Sequence, residues 1–380
     1  MRQKTIPQQQ NTPVQRRVNK KEARLSDSDL HKSALQNQQA ESRAQETLHG
    51  SVTSSVLTRS DLKSADINNT VPDQYRIDKR LLRRAMDRSI DSYEQHAQVF
   101  DEIANRLTER LDLLNLTPKR ILDLGTGNGK HLNTLRERYP KAVIVGADIS
   151  TAAMLCNRRT ARQAWWRRYL QPQSSFVCMD AGQPWPFADE TFDLVISNML
   201  LPWISETDQL ATELARVLAT DGAFFISSVG PDTLIELRQA WQRVDPDVHV
   251  NAFLDMHDVG DMFARAGLAD PVMDTERIEV HYKDVESLLT ELEATGCTCV
   301  LRGRRRGLMS RQVRQRIAVN YPISKESNVD GSDDNSSICA SLELVVAHGW
   351  KQVNPSMSGN DPRQQVVRFQ AKTWQSQRKL

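Results

Sequence analysis

The sequence predicts an α/β fold: a doubly wound, mostly parallel seven-stranded sheet with helices on both faces. Three observations lead there. From residue 120 to residue 228, short apolar runs alternate with helical patterns, the order that builds parallel sheets. A glycine-rich loop, Asp123-Leu124-Gly125-Thr126-Gly127-Asn128-Gly129, separates the first run from a helical segment. An acidic residue, Asp148, closes the second run.

The elements follow in order. Val99, Phe100, Ile103, Leu107, Leu111 and Leu114 recur at spacings of three and four, one face of a helix that Thr117-Pro118 ends. Residues 120–124 form a short buried strand, and 131–138 the helix after the glycine loop. Strand 143–147, helix 151–169, strand 175–179 and strand 192–197 come next. Helix 209–218 leads to strand 223–228, and strands 278–282 and 342–347 complete the seven. Between the last two, Lys325–Ser337 is rich in Ser, Asp and Asn and predicts a flexible loop within 322–340. Asp255 is placed to cap a further helix, with Asp258 near its positive end.

Apolar residues make up 39% of the chain, below the ~45–50% of globular domains, and the deficit lies at the ends. Residues 1–75 hold no Phe or Trp and are dominated by Gln, Asn, Ser and charge. Such a segment buries too little to offset its ordering entropy. The expected organisation is a disordered tail over 1–80, one domain over 81–352 and a polar tail over 353–380. The basic start around Arg16, Arg17, Lys20 and Lys21 lacks the apolar stretch of a secretory signal. An organelle transit peptide would need more apolar surface than Ile6 and Val14 supply. A net charge of +2 excludes a globally basic nucleic-acid binder. No run reaches the ~18 apolar residues of a membrane span. Of five cysteines only Cys297 and Cys299 lie close, a spacing that matches neither a zinc site nor a disulfide framework. Reduced thiols, a cytoplasmic location and no metal are expected.

Glycines in the loop let the backbone turn sharply and approach a ligand. A phosphate-binding P-loop fails because Lys130 is followed by His131, and the dinucleotide fingerprint fails because residue 130 is Lys. A tight turn without a ligand is the bland alternative. Asp148, at a strand end, is placed to accept both hydroxyls of a ribose; as a helix cap, Ser150 is the better candidate. The next strand ends at Asp180-Ala181, and the fourth delivers Asn198 to the carboxyl edge, where ligands of open α/β sheets bind.

On these residues the chain resembles the class I S-adenosylmethionine (SAM)-dependent methyltransferases, whose fold is Rossmann-like. The resemblance implies SAM held by Asp123, Gly125, Gly127, Gly129, Asp148, Ile149, Asp180, Ala181 and Asn198, with Asp180 receiving the adenine amino group. Asn198-Met199-Leu200-Leu201 lacks the Pro-Pro-aromatic continuation of enzymes that methylate bases or glutamine.

A narrower resemblance covers roughly residues 85–352. Asp91–Ala97, Gly230–Leu234, His249–Asn251, Asp255–Asp261, Arg304–Leu308 and His348–Trp350 are similar to segments of the malonyl-(acyl-carrier protein) O-methyltransferases of biotin synthesis. The Asp255 segment also resembles mitochondrial complex I assembly methyltransferase-like proteins, which keeps open a SAM-binding assembly factor acting on a protein subunit. The first resemblance implies methyl transfer to the free carboxylate of a malonyl thioester. That carboxylate is ionised at neutral pH, so no general base is required. Tyr93 and His96 are then candidates for a lid over the methyl group, Tyr93 reading equally as a packing residue. Arg238 is a candidate for the substrate carboxylate, because its planar fork pairs bidentately; a solvated helix face is the alternative. Carrier proteins are acidic, and Arg304, Arg305 and Arg306, followed by Arg311, Arg314 and Arg316, would steer one electrostatically. RNA and a plainly solvated loop are the alternatives, and the lack of interleaved aromatics disfavours RNA.

Overall fold

A computed structural model describes residues 72–113, 116–163, 174–307, 309–322 and 337–352. Residues 1–71 of the tail expected over 1–80, the tail expected over 353–380, the helix beyond residue 163 and most of the predicted loop lie outside the described residues.

Two helices, α1 (Lys79–His96) and α2 (Gln98–Arg110), precede the sheet. Then come β1 (Arg120–Leu124), α3 (Lys130–Arg138), β2 (Val143–Asp148), α4 (Thr151–Gln163), β3 (Ser175–Cys178) and β4 (Phe192–Asn198). They are followed by α5 (Thr207–Val217), β5 (Leu218–Val229), α6 (Ile235–Gln242), α7 (Met256–Arg265), β6 (Ala269–Tyr282), α8 (Val285–Ala294), α9 (Arg311–Asn320) and β7 (Ile338–Trp350). The strand order is β3-β2-β1-β4-β5-β7-β6. The first five strands are parallel, and β7 runs antiparallel to both β5 and β6. The chain steps outward from β1 to β3 and then crosses to β4. The topological switch therefore falls between β1 and β4, where a crevice opens beyond the strand ends.

The strands read as apolar runs because both faces are covered. Alternate residues serve opposite faces. Leu122, Leu124, Val195, Phe224 and Ile226 pack against α5 and α7. Ile121, Leu194, Ile196 and Phe225 join Ile103 and Leu107 of α2 and Leu132 and Leu135 of α3. A third cluster joins Leu237 and Trp241 of α6, Leu288 of α8 and Ile317 of α9 to Ile338 and Ala340 at the start of β7.

The structure departs from expectation in three places. β6 and β7 are far longer than predicted. β6 lies at the sheet edge, and its Asp274, Glu276, Arg277 and Glu279 break the apolar pattern while its backbone still pairs with β7 up to Tyr282. The loop expected to reach 340 yields to β7 at Ile338, because Ile338, Cys339 and Ala340 are buried. Order also begins before Leu81. Ile77 is only 5% exposed and bridges to Leu301. Asp78 caps α1 by accepting from the Arg80 and Leu81 amides, and the Lys79 ammonium meets Asp180 and Glu206 at 2.9 and 3.1 Å.

This N-terminal strap carries measurable stability. The cap contributes about 1 kcal/mol and burial of Ile77 roughly 2 kcal/mol. A chain starting at Leu81 is therefore expected to unfold at clearly lower urea than one starting at Pro72, in a denaturation monitored by circular dichroism.

Candidate active site

The glycine loop leaves β1 and is fixed from three sides. The Gly125 and Thr126 amides donate to the Ala147 carbonyl at 2.7 and 3.1 Å. The Gly127 amide donates to Asp148 Oδ2 at 3.0 Å. From α4, Asn157 Nδ2 donates to the Gly127 carbonyl at 2.9 Å. Gly127 and Gly129 both take positive φ, +52° and +78°. At Gly129 the left-handed φ favours glycine, and a Cβ would also press on the Asn157 side-chain amide, 2.1 Å from its Oδ1. At Gly127 a Cβ would meet nothing within 4 Å; it would stand in the open cleft. Asn157 carries no sequence signal, being one polar residue on a mixed helix.

Of the carboxylates predicted at the strand ends, Asp148 and Asp180 line the cleft beside this loop, whereas Asp123, like Gly129, is not among its lining residues. Asp123 is buried and accepts from the Thr126 hydroxyl at 2.6 Å. Asp148 also accepts from the Ser150 amide at 2.8 Å. Burial pushes the Asp148 carboxyl above its ordinary value, and the Asp123 charge adds to the rise, while the Ser150 and Gly127 amides oppose it. Ile149 accepts through its carbonyl from Arg83 Nε at 3.2 Å. Asp180 accepts from Lys79 and from the Gly182 amide, both at 2.9 Å. Ala181 is buried, and its carbonyl accepts from the Trp185 indole at 3.0 Å. Asn198 sits on the cleft wall with its amide committed: Oδ1 accepts from the Ser227 hydroxyl at 2.7 Å and Nδ2 donates to the Phe100 carbonyl at 3.2 Å. Met199, next to it, holds a left-handed φ of +60°, a strain that persists only where the surroundings enforce it. Here the Ser227 carbonyl and hydroxyl both bind the Met199 amide.

The cleft opens into a second cavity of about 350 Å³, and Phe100, Met199, Trp203, Thr295 and Cys297 line both. Tyr93 lines the cleft with its ring 5.8 Å from that of Phe100. Burial pushes the Tyr93 phenol far up, so it stays neutral, and the Cys297 thiol is pushed up to about 11 for the same reason. The structure does not bring His96 to this junction. Its Nδ1 lies 3.0 Å from the Ser92 carbonyl, turned back onto α1, and it lines neither cavity among the described residues.

The arginines divide as well. Arg304 and Arg305 line the second cavity, and Arg238 does not. Arg238 is half-buried, with Nη2 donating to the Thr233 carbonyl at 3.2 Å. The basic run is less positive than its sequence suggests, because Arg302 pairs with Asp73, Arg305 with Asp245, and Arg314 with Glu286 and Glu293. Arg306 is exposed. Two groups, Asp245–Asp247–His249 and Glu279–His281–Cys339, bring possible metal ligands within reach of one another, a convergence with no signal in the spacing.

The parallel order with its switch beside β1, the glycine cradle and the ring of strand-end carboxylates define a class I SAM-dependent methyltransferase. Residues 122–226 match the family described as "Methyltransferase domain". A malonyl-(acyl-carrier protein) O-methyltransferase of Laribacter hongkongensis is 36% identical over 293 residues, 77% of this chain and 96% of that protein. One of Gallionella capsiferriformans is 37% identical over 279 residues, 73% and 92% of the two chains, and one of Coxiella burnetii is 34% identical over 277, 73% and 89%. The chain belongs to the malonyl-(acyl-carrier protein) O-methyltransferase family.

The open space at Gly127 and the acceptor atoms of Asp148 suit a nucleoside. Replacing Asp148 with Asn sets an NH₂ against either the Gly127 or the Ser150 amide, whichever way the side chain turns. Asp148→Asn is therefore expected to weaken SAM binding tenfold or more in calorimetry, a charge-assisted bond contributing about 1.5–3 kcal/mol. Circular dichroism should stay unchanged. The raised pKa also sets a sign. Protonation removes the acceptor, so SAM affinity should begin to fall at a pH above the ordinary carboxylate range as the solution is acidified, and the Asn variant should lack that step.

Proposed function

We propose that this protein methylates the free carboxylate of a malonyl thioester carried by an acyl-carrier protein, the masking step at the start of the acyl chain of biotin. The observation that carries the reading is the confluence of the two cavities: the glycine-loop cleft meets an apolar chamber at Phe100, Met199 and Trp203. Family membership supports the acceptor. SAM would supply an electrophilic methyl group on a sulfonium. Asp148 and the glycine loop would orient its nucleoside, and Asp180, held by Lys79, would face the adenine. A neutral Tyr93 and an undissociated Cys297 offer no base at neutral pH, and an ionised carboxylate needs none. The protein's contribution is then alignment of donor and acceptor and exclusion of water. We place the reaction in the cytoplasm, in line with the free cysteines. No described helix is long and apolar enough to cross a membrane.

Incubation of the full chain with SAM and malonyl-carrier protein should yield the methyl ester by mass spectrometry, and acetyl-carrier protein, which lacks the carboxylate, should yield none. Methylation of a protein side chain in place of the malonyl group would overturn the reading.

The exposed Arg306 and Arg311 are the residues of the basic run suited to steering. Changing both to Ser should raise KM for malonyl-carrier protein several-fold at low salt and leave malonyl-coenzyme A little affected. The difference should fade at physiological ionic strength, where exposed charges are screened beyond ~8 Å.

A further inference from the structure

β6 and β7 stay paired to the end of β6, with His281 directly opposite Cys339 and Glu279 opposite Ser341. Alternate residues of a strand share a face, as do directly opposite residues of neighbouring strands. Glu279, His281 and Cys339 therefore lie together on one face of the sheet edge. Their ligand atoms, a carboxylate oxygen, an imidazole nitrogen and a thiol sulfur, all stand within 4.8 Å of one another. Strand register creates this group, not spacing along the chain. Val280, Tyr282, Ala340 and Leu342, of the opposite parity, line the larger cavity, so the three side chains stand behind its wall.

The surroundings hold the buried ligand still and leave the other two adaptable. Cys339 is 7% exposed, and its carbonyl accepts from the Tyr321 hydroxyl at 2.9 Å, which fixes the start of β7 against the residue that follows α9. Glu279 and His281 are exposed. Among the described residues no hydrogen bond occupies either ring nitrogen of His281. Arg277 is the neighbouring cation: its Nε stands 3.7 Å from Glu279 Oε1, and its Nη2 donates to Ser341 Oγ at 3.0 Å. Exposed and beyond hydrogen-bond range, it holds the Glu279 carboxylate weakly. The other convergence of possible ligands is already closed. Asp245 is engaged by His249 and by the positive Arg305, at 2.6 and 2.8 Å, and the His249 ring stacks on Trp241 with 3.5 Å between centres.

Tetrahedral zinc binds thiolate sulfur at ~2.3 Å and imidazole nitrogen or carboxylate oxygen at ~2.0–2.2 Å, which sets neighbouring ligand atoms about 3.3–3.8 Å apart. The exposed Glu279 and His281 side chains close the remaining gap by rotation. A thiolate selects a borderline or soft ion over Mg²⁺ or Ca²⁺, and one thiolate with one carboxylate balances a divalent charge. We propose that Glu279, His281 and Cys339 bind one Zn²⁺ ion, with water completing the tetrahedron, and that the ion pins the edge strand β6 to β7 behind the larger cavity. On binding, the Cys339 thiol gives its proton to solvent as the S–Zn bond forms. Glu279 is already ionised at neutral pH, and the neutral imidazole binds through a nitrogen lone pair. None of the three residues lines the glycine-loop cleft, so the site is independent of the methyl-transfer reading.

The test uses the full chain, freed of metal by a chelator and titrated with Co²⁺, whose bond to a thiolate gives a charge-transfer band in the near ultraviolet. The band should saturate at one equivalent. Zn²⁺ should abolish it and raise the melting temperature by mass action. Cys339→Ser should lose the band. His281→Ala and Glu279→Gln should weaken Co²⁺ and Zn²⁺ binding about tenfold or more, since each ligand carries part of the binding free energy. Both change exposed positions and should keep the circular dichroism of the metal-free wild type, so they decide the matter even where Cys339→Ser fails to fold. Wild type with neither the band nor stabilisation by Zn²⁺ overturns the site. A band that survives in Cys339→Ser assigns the ion to another cysteine and overturns it, as does affinity unchanged in His281→Ala. Binding lost in Asp245→Asn but kept in His281→Ala assigns the ion to the Asp245 group and overturns it as well.

Discussion

Asp148 stands at the end of β2 and accepts hydrogen bonds from the amides of Gly127 and Ser150. Through the first it ties the glycine loop of β1 to its neighbour strand, and through the second it sets the start of α4. Asn157, one turn and a half into α4, then closes the loop from behind at the Gly127 carbonyl. The cleft is thus shaped by a ring of contacts that runs strand, loop, helix and back to loop. A buried carboxylate is unfavourable unless it is hydrogen-bonded, and here backbone amides do the bonding. The group that shapes the cleft is also the one suited to a ribose.

The larger cavity is built from different material. The glycine-loop cleft is lined by α1, by the loops that follow β1, β2, β3 and β4, and by Thr295 and Cys297. The larger cavity is walled by α6 and α8 and by the ends of β6 and β7, elements added after β5. The two spaces draw largely on different stretches of the chain and share a few side chains. Met199 is one of them. Its left-handed backbone sits where β4 leaves the sheet, and its side chain faces both spaces.

The glycine-loop cleft was legible in the sequence because strands buried on both faces read as apolar runs, and a polar residue at or near the end of each run marks the sheet edge. Asp123, Asp148, Asp180 and Asn198 all announce themselves in that way. Lys79, Asn157 and Glu206 do not, since their meaning comes from partners far along the chain. The same holds for the arginines: a run of positive charge looks like a patch until Asp73 and Asp245 are seen to neutralise parts of it. β6 was only partly visible because an edge strand exposes charge, and such charge also discourages pairing with other chains. His96 shows the converse, a conspicuous residue in a suggestive segment whose ring turns back onto its own helix.

The strap of residues 72–80 links these two sides. Ile77 bridges to Leu301, three residues before Arg304 on the cavity wall, and Lys79 reaches Asp180 on the cleft. With SAM at Asp180, as proposed above, a donor that binds only the chain with its strap seated would raise the cost of peeling the strap away by mass action. On that reading the peptide bonds after Arg76, Lys79 and Arg80 would report occupancy to a protease, cut more slowly with the methyl donor bound than without it.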